Sequence, residues 1–114
     1  MPHFIIDCSA NIISIKDPEA IMQAVHDIAE GTGLFKLGDI KVRINPFTYY
    51  NVGNSKNDFI HVFAYIMQGR NTEQKADLSK LVITRLKQMF PEVPVISMNV
   101  SDFEKATYCN RHLL

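Results

Sequence analysis

The sequence lacks an excess of charge of either sign. Its 114 residues include 12 lysines and arginines and 12 aspartates and glutamates, so the formal net charge is zero. Composition therefore gives no basic footprint for nucleic acid, and there is no acidic tail. No apolar stretch approaches the roughly 18 residues that a membrane-spanning helix needs. We expect neither a nucleic acid nor a membrane as a partner.

Cysteine is also scarce. Cys8 and Cys109 are the only two, and neither belongs to a Cys-x-x-Cys pair. The first apolar residues are followed directly by Asp7, which does not match a secretory signal. This pattern predicts a cytoplasmic protein with free thiols. No histidine pair has the spacing of metal ligands, so no metal site is predicted.

The length of the chain is typical of one domain, and we predict a single domain over residues 1–114. Two similar units are expected, at about 1–50 and 58–103, because Phe4 and Phe59 each open an apolar strand and lie about 55 residues apart. Apolar runs and alternation predict strands at 3–8, 39–50, 58–68 and 95–100.

Two helices are predicted between these strands. Asp17-Pro18-Glu19 is typical of a helix start, and Asn71 with Gln74 has the spacing of a capping box. Apolar residues then recur at helical intervals. The first stripe is Ile21, Ala24, Val25, Ile28 and Ala29; the second is Leu78, Leu81, Val82, Leu86 and Met89.

The predicted order is β-α-β-β-α-β, an α+β fold in which a four-stranded sheet carries two helices on one face. Each strand–helix–strand unit should pair its strands in parallel. The first strand reads as buried on both faces, and Pro46 predicts a bend or a sheet edge. The second sheet face is left apolar and uncovered, which favours oligomerisation.

Pro2 stands immediately before the first strand. If Met1 is removed, Pro2 becomes a secondary amine at the end of a buried strand. Such an amine can act as a general base when its pKa lies near the working pH. Apolar burial and nearby cations both lower the pKa of an amine. The alternative is that Met-Pro is simply a common chain start.

Three cations are candidates for an anion site. Lys41 and Arg43 lie two residues apart, on the same side of the second predicted strand, and Arg70 follows Gly69 before the second helix. Each could equally be a solvated surface residue. His3 and His61 fall within strands and read as packed side chains. Phe47, Tyr49 and Tyr50 are candidates for a pocket wall, a core contact or an oligomer contact.

Three segments together resemble the 5-carboxymethyl-2-hydroxymuconate Δ-isomerase family of the tautomerase superfamily. They are Pro2-His3-Phe4-Ile5, the stretch from Thr32 to Arg43 with its T-G-L-F-x-L-G pattern, and Asp58-Phe59-Ile60-His61-Val62 followed by Gly69-Arg70. The similarity covers nearly the whole chain and fades after about Pro91.

The resemblance implies a tautomerase-like homotrimer without metal or organic cofactor, its active sites near subunit contacts. It implies an isomerase acting on a small carboxylated enol, a 2-hydroxydienoate of the 5-carboxymethyl-2-hydroxymuconate type from aromatic-acid breakdown. Pro2 would be the acid and base, and Lys41 and Arg70 the catalytic cations. The family pattern has arginine at Lys41, and Arg43 is then a substrate-binding candidate on the same face.

Two other functions remain open at this level. One is a tautomerase acting on another enol acid, such as a phenylpyruvate-like enol. The other is a non-enzymatic oligomeric binding module on the same scaffold. The retention of Met1 would favour the second, because it turns the Pro2 nitrogen into an amide.

Overall fold

The computed structural model describes every residue from Met1 to Leu114. Four strands and two long helices alternate as predicted, and a short helix, which the sequence pattern did not predict, follows the first strand. Two short 3₁₀ helices, Lys105–Thr107 and Arg111–Leu113, complete the chain. The elements are β1 (His3–Ser9), α1 (Ile12–Ile15), α2 (Pro18–Gly31), β2 (Lys41–Phe47), β3 (Phe59–Met67), α3 (Thr72–Met89) and β4 (Val95–Phe103).

The four strands form one mixed sheet in the order β2-β1-β3-β4. β1 pairs in parallel with β2, and β3 pairs in parallel with β4. β1 and β3 are antiparallel neighbours at the centre. The predicted four-stranded α+β fold and the parallel pairing within each unit are confirmed. Pro46 lies on β2, an edge strand, where a missing N–H costs little.

The starts of both long helices follow from their capping residues. The side chain of Asp17 accepts a hydrogen bond from the backbone N–H of Glu19 at 2.9 Å, and Pro18 occupies the first turn. Asn71 and Gln74 exchange side-chain to backbone hydrogen bonds at 2.8 and 2.9 Å, a complete capping box. These local bonds satisfy N–H groups that have no partner within the helix.

The core lies between one sheet face and the long helices. Each strand sends alternate side chains into it, and each helix contributes one apolar stripe. One member of the predicted α3 stripe is wrong, because Leu81 is 48% exposed. The fully buried members of the core include Phe4, Ile6, Ile21, Ile60, Val62, Leu78, Val82 and Leu86.

The second sheet face is not covered by any helix. The expectation that β1 is buried on both faces is wrong for this chain alone, since His3, Ile5 and Asp7 are only partly buried. This face is aromatic along the central strand β3, where the Phe63 and Tyr65 rings stack at 6.5 Å. It is polar toward the edges, with Arg43 on β2 and Asn99 on β4, so it is less apolar than predicted. None of the helices combines the length and apolarity that crossing a membrane requires.

Candidate active site

The topology brings all four predicted site residues to one end of the sheet. β1 and β2 begin there, since His3 pairs with Lys41. β3 and β4 end there, since Tyr65 lies opposite His3 and Met67 lies beside Phe103. Pro2 precedes β1 by one residue and Arg70 follows β3 by three. Residues from positions as far apart as 2 and 103 are therefore assembled at one end of the sheet.

Pro2 is buried at the start of β1. Its carbonyl accepts a hydrogen bond from the backbone N–H of Lys41 at 3.1 Å, which extends the β1–β2 ladder by one residue. Its nitrogen is joined to Met1 by a peptide bond, so in this chain the nitrogen is an amide. The position of the nitrogen is therefore fixed by backbone pairing and by burial.

The amino group at this chain start lies in a cationic environment. Burial, a hydrogen bond from Lys41 and the positive charge of Lys41 together lower the pKa of the Met1 amine from 8.0 to about 6, while Asp39 acts in the opposite direction. Lys41 Nζ also donates a hydrogen bond to the backbone carbonyl of Asp39 at 2.7 Å. This contact holds the ammonium group close to the strand start, where it disfavours a second positive charge.

Arg43 is paired with His3 on the uncovered sheet face. Arg43 Nη1 donates a hydrogen bond to His3 Nδ1 at 3.1 Å. Burial lowers the pKa of His3, and the positive charges of Arg43, the chain-terminal amine and Lys41 act in the same direction. A neutral imidazole is the form that can accept a hydrogen bond from a guanidinium. The charge cluster therefore favours the state of His3 that keeps this pair together.

Arg70 is held at the same end of the sheet by the backbone. Its guanidinium donates to the carbonyl of Leu34 through Nη2 and to that of Met67 through Nη1, the latter at 3.3 Å. Its guanidinium carbon lies 5.4 Å from the centre of the Phe35 ring. Arg70 thereby ties the turn after α2 to the end of β3. Only two of its N–H groups are engaged, so others remain available to an anion.

A shallow depression of about 370 Å³ lies at the end of the sheet that carries Arg43 and His3. It is lined by His3, Ile5, Arg43, Tyr65 and Phe103. Tyr65 and Phe103 are not among the candidates predicted from the sequence, because only the strand register brings them to the same end of the sheet as the starts of β1 and β2. No local signal in the sequence indicates that proximity.

The aromatic residues that the sequence suggested for a pocket wall lie elsewhere. Tyr49 is 91% exposed, and Phe47 is 40% exposed at the far end of β2. The Tyr50 ring packs against Phe59 at 5.3 Å. None of the three lines the depression. His61 is hydrogen-bonded to Ser97 and Asn99, at 2.7 and 2.6 Å, as expected of a packed histidine.

The geometry agrees with a comparison against known families. The model of the 5-carboxymethyl-2-hydroxymuconate isomerase family matches residues 2–111, nearly the whole chain. The chain belongs to this family. The predicted enzyme class, an isomerase, is confirmed.

Individual proteins are similar to this chain in sequence or in fold. The Escherichia coli 5-carboxymethyl-2-hydroxymuconate Delta-isomerase is 27% identical over 92 residues, which cover 79% of this chain and 73% of the relative. The crystal structure of a 5-carboxymethyl-2-hydroxymuconate isomerase from Deinococcus radiodurans R1 has a TM-score of 0.84 at 21% identity. That match covers 96% of this chain and 88% of the other. A fused 4-OT wild-type symmetric trimer has a TM-score of 0.75 at 17% identity, covering 90% and 87% of the two chains.

The pairing of Arg43 with His3 predicts a coupled titration. In the Arg43→Ala variant the pKa of His3 should rise toward its ordinary value of 6.5, because one of the positive charges that disfavour the imidazolium is removed. The rise should be partial, since burial remains. An NMR pH titration of the assigned His3 ring protons measures this change. Arg85→Ala, at an exposed position on α3, should leave the His3 titration unchanged; identical His3 curves for the two variants would contradict the coupling.

Proposed function

We propose that this isomerase moves a proton within a small carboxylated 2-hydroxydienoate of the 5-carboxymethyl-2-hydroxymuconate type, with the free amine of Pro2 as acid and base. The observation that carries the proposal is the position of Pro2. It is buried at the first residue before β1, beside Lys41, at the end of the sheet where the cations gather. The family match and the name of the Escherichia coli relative support the substrate class.

The proposed reaction needs one base and no external oxidant or reductant. The Pro2 amine takes the proton of the enol hydroxyl, and the O–H electron pair becomes part of a carbonyl group. The conjugated double bonds shift along the chain, and the Pro2 ammonium returns the proton to a carbon atom. The amine must be neutral before the first step. Burial and Lys41 lower the pKa of the Met1 amine at this chain start, and we expect both to favour the neutral state of the Pro2 amine once Met1 is removed.

The three cations have separate proposed roles. Lys41 stands closest to the amine and would stabilise the negative charge that develops on the dienolate oxygen. Arg70 would bind a carboxylate with the N–H groups that its backbone contacts leave free. Arg43, two residues from Lys41 on the same strand face, would bind the other end of the substrate. A lysine holds a carboxylate as a point charge, whereas an arginine can hold it with two parallel bonds.

A homotrimer is the proposed assembly. The uncovered sheet face carries a row of aromatic rings along β3, and a domain of this size commonly covers such a face by association. The similar 4-OT structure is a symmetric trimer, which supports the same assembly here. In such a trimer, a neighbouring copy of the chain would complete the candidate site.

The role of Pro2 is tested by comparing the same protein before and after treatment with methionine aminopeptidase. The form that keeps Met1 should have kcat/KM for the enol lower by about 100-fold or more, because an amide nitrogen cannot accept the proton. Steady-state kinetics on a carboxylated 2-hydroxydienoate measure the loss, and intact mass confirms the state of the chain. Every side chain other than that of Met1 is shared by the two forms. Equal rates would show that Pro2 is not the base.

The assembly is tested by light scattering at micromolar concentration. The expected mass is about three times that of the 13.0 kDa chain, because the aromatic face favours association. Replacing Phe63, half-buried at the centre of that face, with glutamate should shift the mass toward that of a single chain. Leu81→Glu, at an exposed position on α3, serves as the control. A monomer in the unsubstituted protein would overturn the trimer.

A further inference from the structure

The loop that joins α2 to β2, residues 32–40, contains the T-G-L-F-x-L-G pattern yet supplies no group to the proposed reaction. Its course is fixed where it leaves α2. Thr32 Oγ1 donates a hydrogen bond to the carbonyl of Ala29 at 2.6 Å and accepts one from the backbone N–H of Leu34 at 3.2 Å. Gly33 has a φ of 72°, in the region that favours glycine. Local bonds and a glycine therefore set the direction in which the next residues are presented.

The ring of Phe35 connects the core to Arg70. It meets the fully buried Phe4 edge-on, with the ring centres 6.0 Å apart at 81°. The guanidinium carbon of Arg70 lies over the Phe35 ring, 5.4 Å from its centre. Both Phe35 and Arg70 are half-buried, and a cation is held more strongly over a ring face where water is partly excluded. A ring seated on the core therefore supports a charged group at the candidate site.

Most of the contacts that hold the Arg70 guanidinium come from this loop. Nη2 donates to the carbonyl of Leu34, Nη1 donates to the carbonyl of Met67, and the Phe35 ring lies against the group. The hydrogen bonds restrain the Nη atoms, and the ring face restrains the plane of the guanidinium. An arginine that is held before its ligand arrives loses less conformational freedom on binding. The loop thereby prepares Arg70 for an anion.

The other end of the loop lies beside the second proposed catalytic cation. The N–H of Asp39 donates to the carbonyl of Lys36 at 3.1 Å across a turn in which Gly38 has a φ of 87°. The carbonyl of Asp39 then accepts the hydrogen bond from Lys41 Nζ at 2.7 Å. Backbone carbonyls of one loop therefore contact both cations.

We propose that the α2–β2 loop is a positioning element of the active site and that Phe35 is the positioning residue through which it orients the guanidinium of Arg70 toward a substrate carboxylate. The inference rests on the proposed function in that it concerns the same substrate. It adds the reason why Arg70 is ready to bind: the Phe35 ring holds the plane of the guanidinium while the carbonyl of Leu34 holds one of its nitrogens.

The orientation of Arg70 is tested by NMR on the full chain. Rotation of the guanidinium exchanges its two Nη atoms, and the exchange is slow when contacts hold the group. Phe35→Leu should speed the exchange at Arg70, because leucine is apolar but has no ring face. Phe35→Tyr keeps the ring and should keep the exchange slow. In the unsubstituted protein Arg70 should exchange more slowly than the exposed Arg85, a comparison that needs no variant.

Phe90→Leu is the matched control for the loss of a ring. Phe90 is buried just after α3, a helix of 18 residues, which separates it from Arg70 by roughly 27 Å. This variant should lower the melting temperature without changing the exchange at Arg70. Equal exchange rates at Arg70 in Phe35→Leu and in the unsubstituted protein would overturn the proposal. Exchange in the unsubstituted protein as fast at Arg70 as at Arg85 would also overturn it.

The effect on the substrate is tested by steady-state kinetics on a carboxylated 2-hydroxydienoate, with protein freed of Met1. Phe35→Leu should raise KM by about three- to tenfold, the size expected of a partly desolvated cation–π contact. The value of kcat should change little, because the carboxylate is bound equally in the ground state and the transition state. A purely structural loss would instead reduce the amount of active enzyme, and so kcat, at an unchanged KM. That result would contradict a positioning role.

A double variant isolates the path through Arg70. In the Arg70→Ala background, Phe35→Leu should leave KM where Arg70→Ala alone puts it, since the group that the ring orients is absent. Phe35→Tyr should keep the KM of the unsubstituted protein. A rise in KM of the same size with and without Arg70 would show that Phe35 acts by another route and would overturn the proposal.

The outcomes separate this inference from the proposed function. If Pro2 is not the base, kcat/KM is the same with and without Met1, while the exchange at Arg70 still depends on Phe35. If Phe35 does not position Arg70, the exchange ignores Phe35, while retention of Met1 still lowers kcat/KM.

Discussion

The antiparallel pairing of β1 with β3 is the constraint on which the candidate site depends. It sets His3 opposite Tyr65 and so places the start of the chain beside the end of β3. The parallel partners β2 and β4 then carry Lys41 and Phe103 to the same end. A slip of one residue would exchange the two faces of β1. His3 would then enter the core, and the buried Phe4 would face outward.

Cations concentrate at this end although the chain as a whole is neutral. Lys41 lies beside the chain-terminal amine, and both Lys41 and Arg43 act on His3, while the charge of Asp39 opposes Lys41 at the amine. Like charges held together cost stability unless the surroundings compensate for them. Burial together with these positive charges lowers the pKa of the chain-terminal amine and of His3. Clusters of groups with perturbed pKa values occur preferentially at functional sites, and this cluster lies where we propose that the proton transfer takes place.

Local signals in the sequence predicted the scaffold well. The caps at Asp17 and Asn71 depend on residues within three positions of one another, and strand alternation is equally local. The exposure of Leu81 was missed because helical spacing alone does not show how far the sheet extends beneath α3. Tyr65 and Phe103, which line the depression beside His3, were missed because they meet His3 only through strand register, which joins positions about 60 to 100 residues apart. The family resemblance predicted Pro2, Lys41 and Arg70 as candidates, and their roles stay predictions.

The proposed reaction depends most on an amine of lowered pKa at the start of β1, and the pKa of that amine can be measured directly. A ¹⁵N NMR pH titration of Pro2, in protein freed of Met1, reports the protonation of its nitrogen. We expect the proposed mechanism to show a pKa below that of an exposed prolyl amine. That pKa should rise when Lys41 is replaced by alanine, because burial and the Lys41 charge both disfavour the ammonium form. A Pro2 amine that titrates like an exposed one, with or without Lys41, would contradict it.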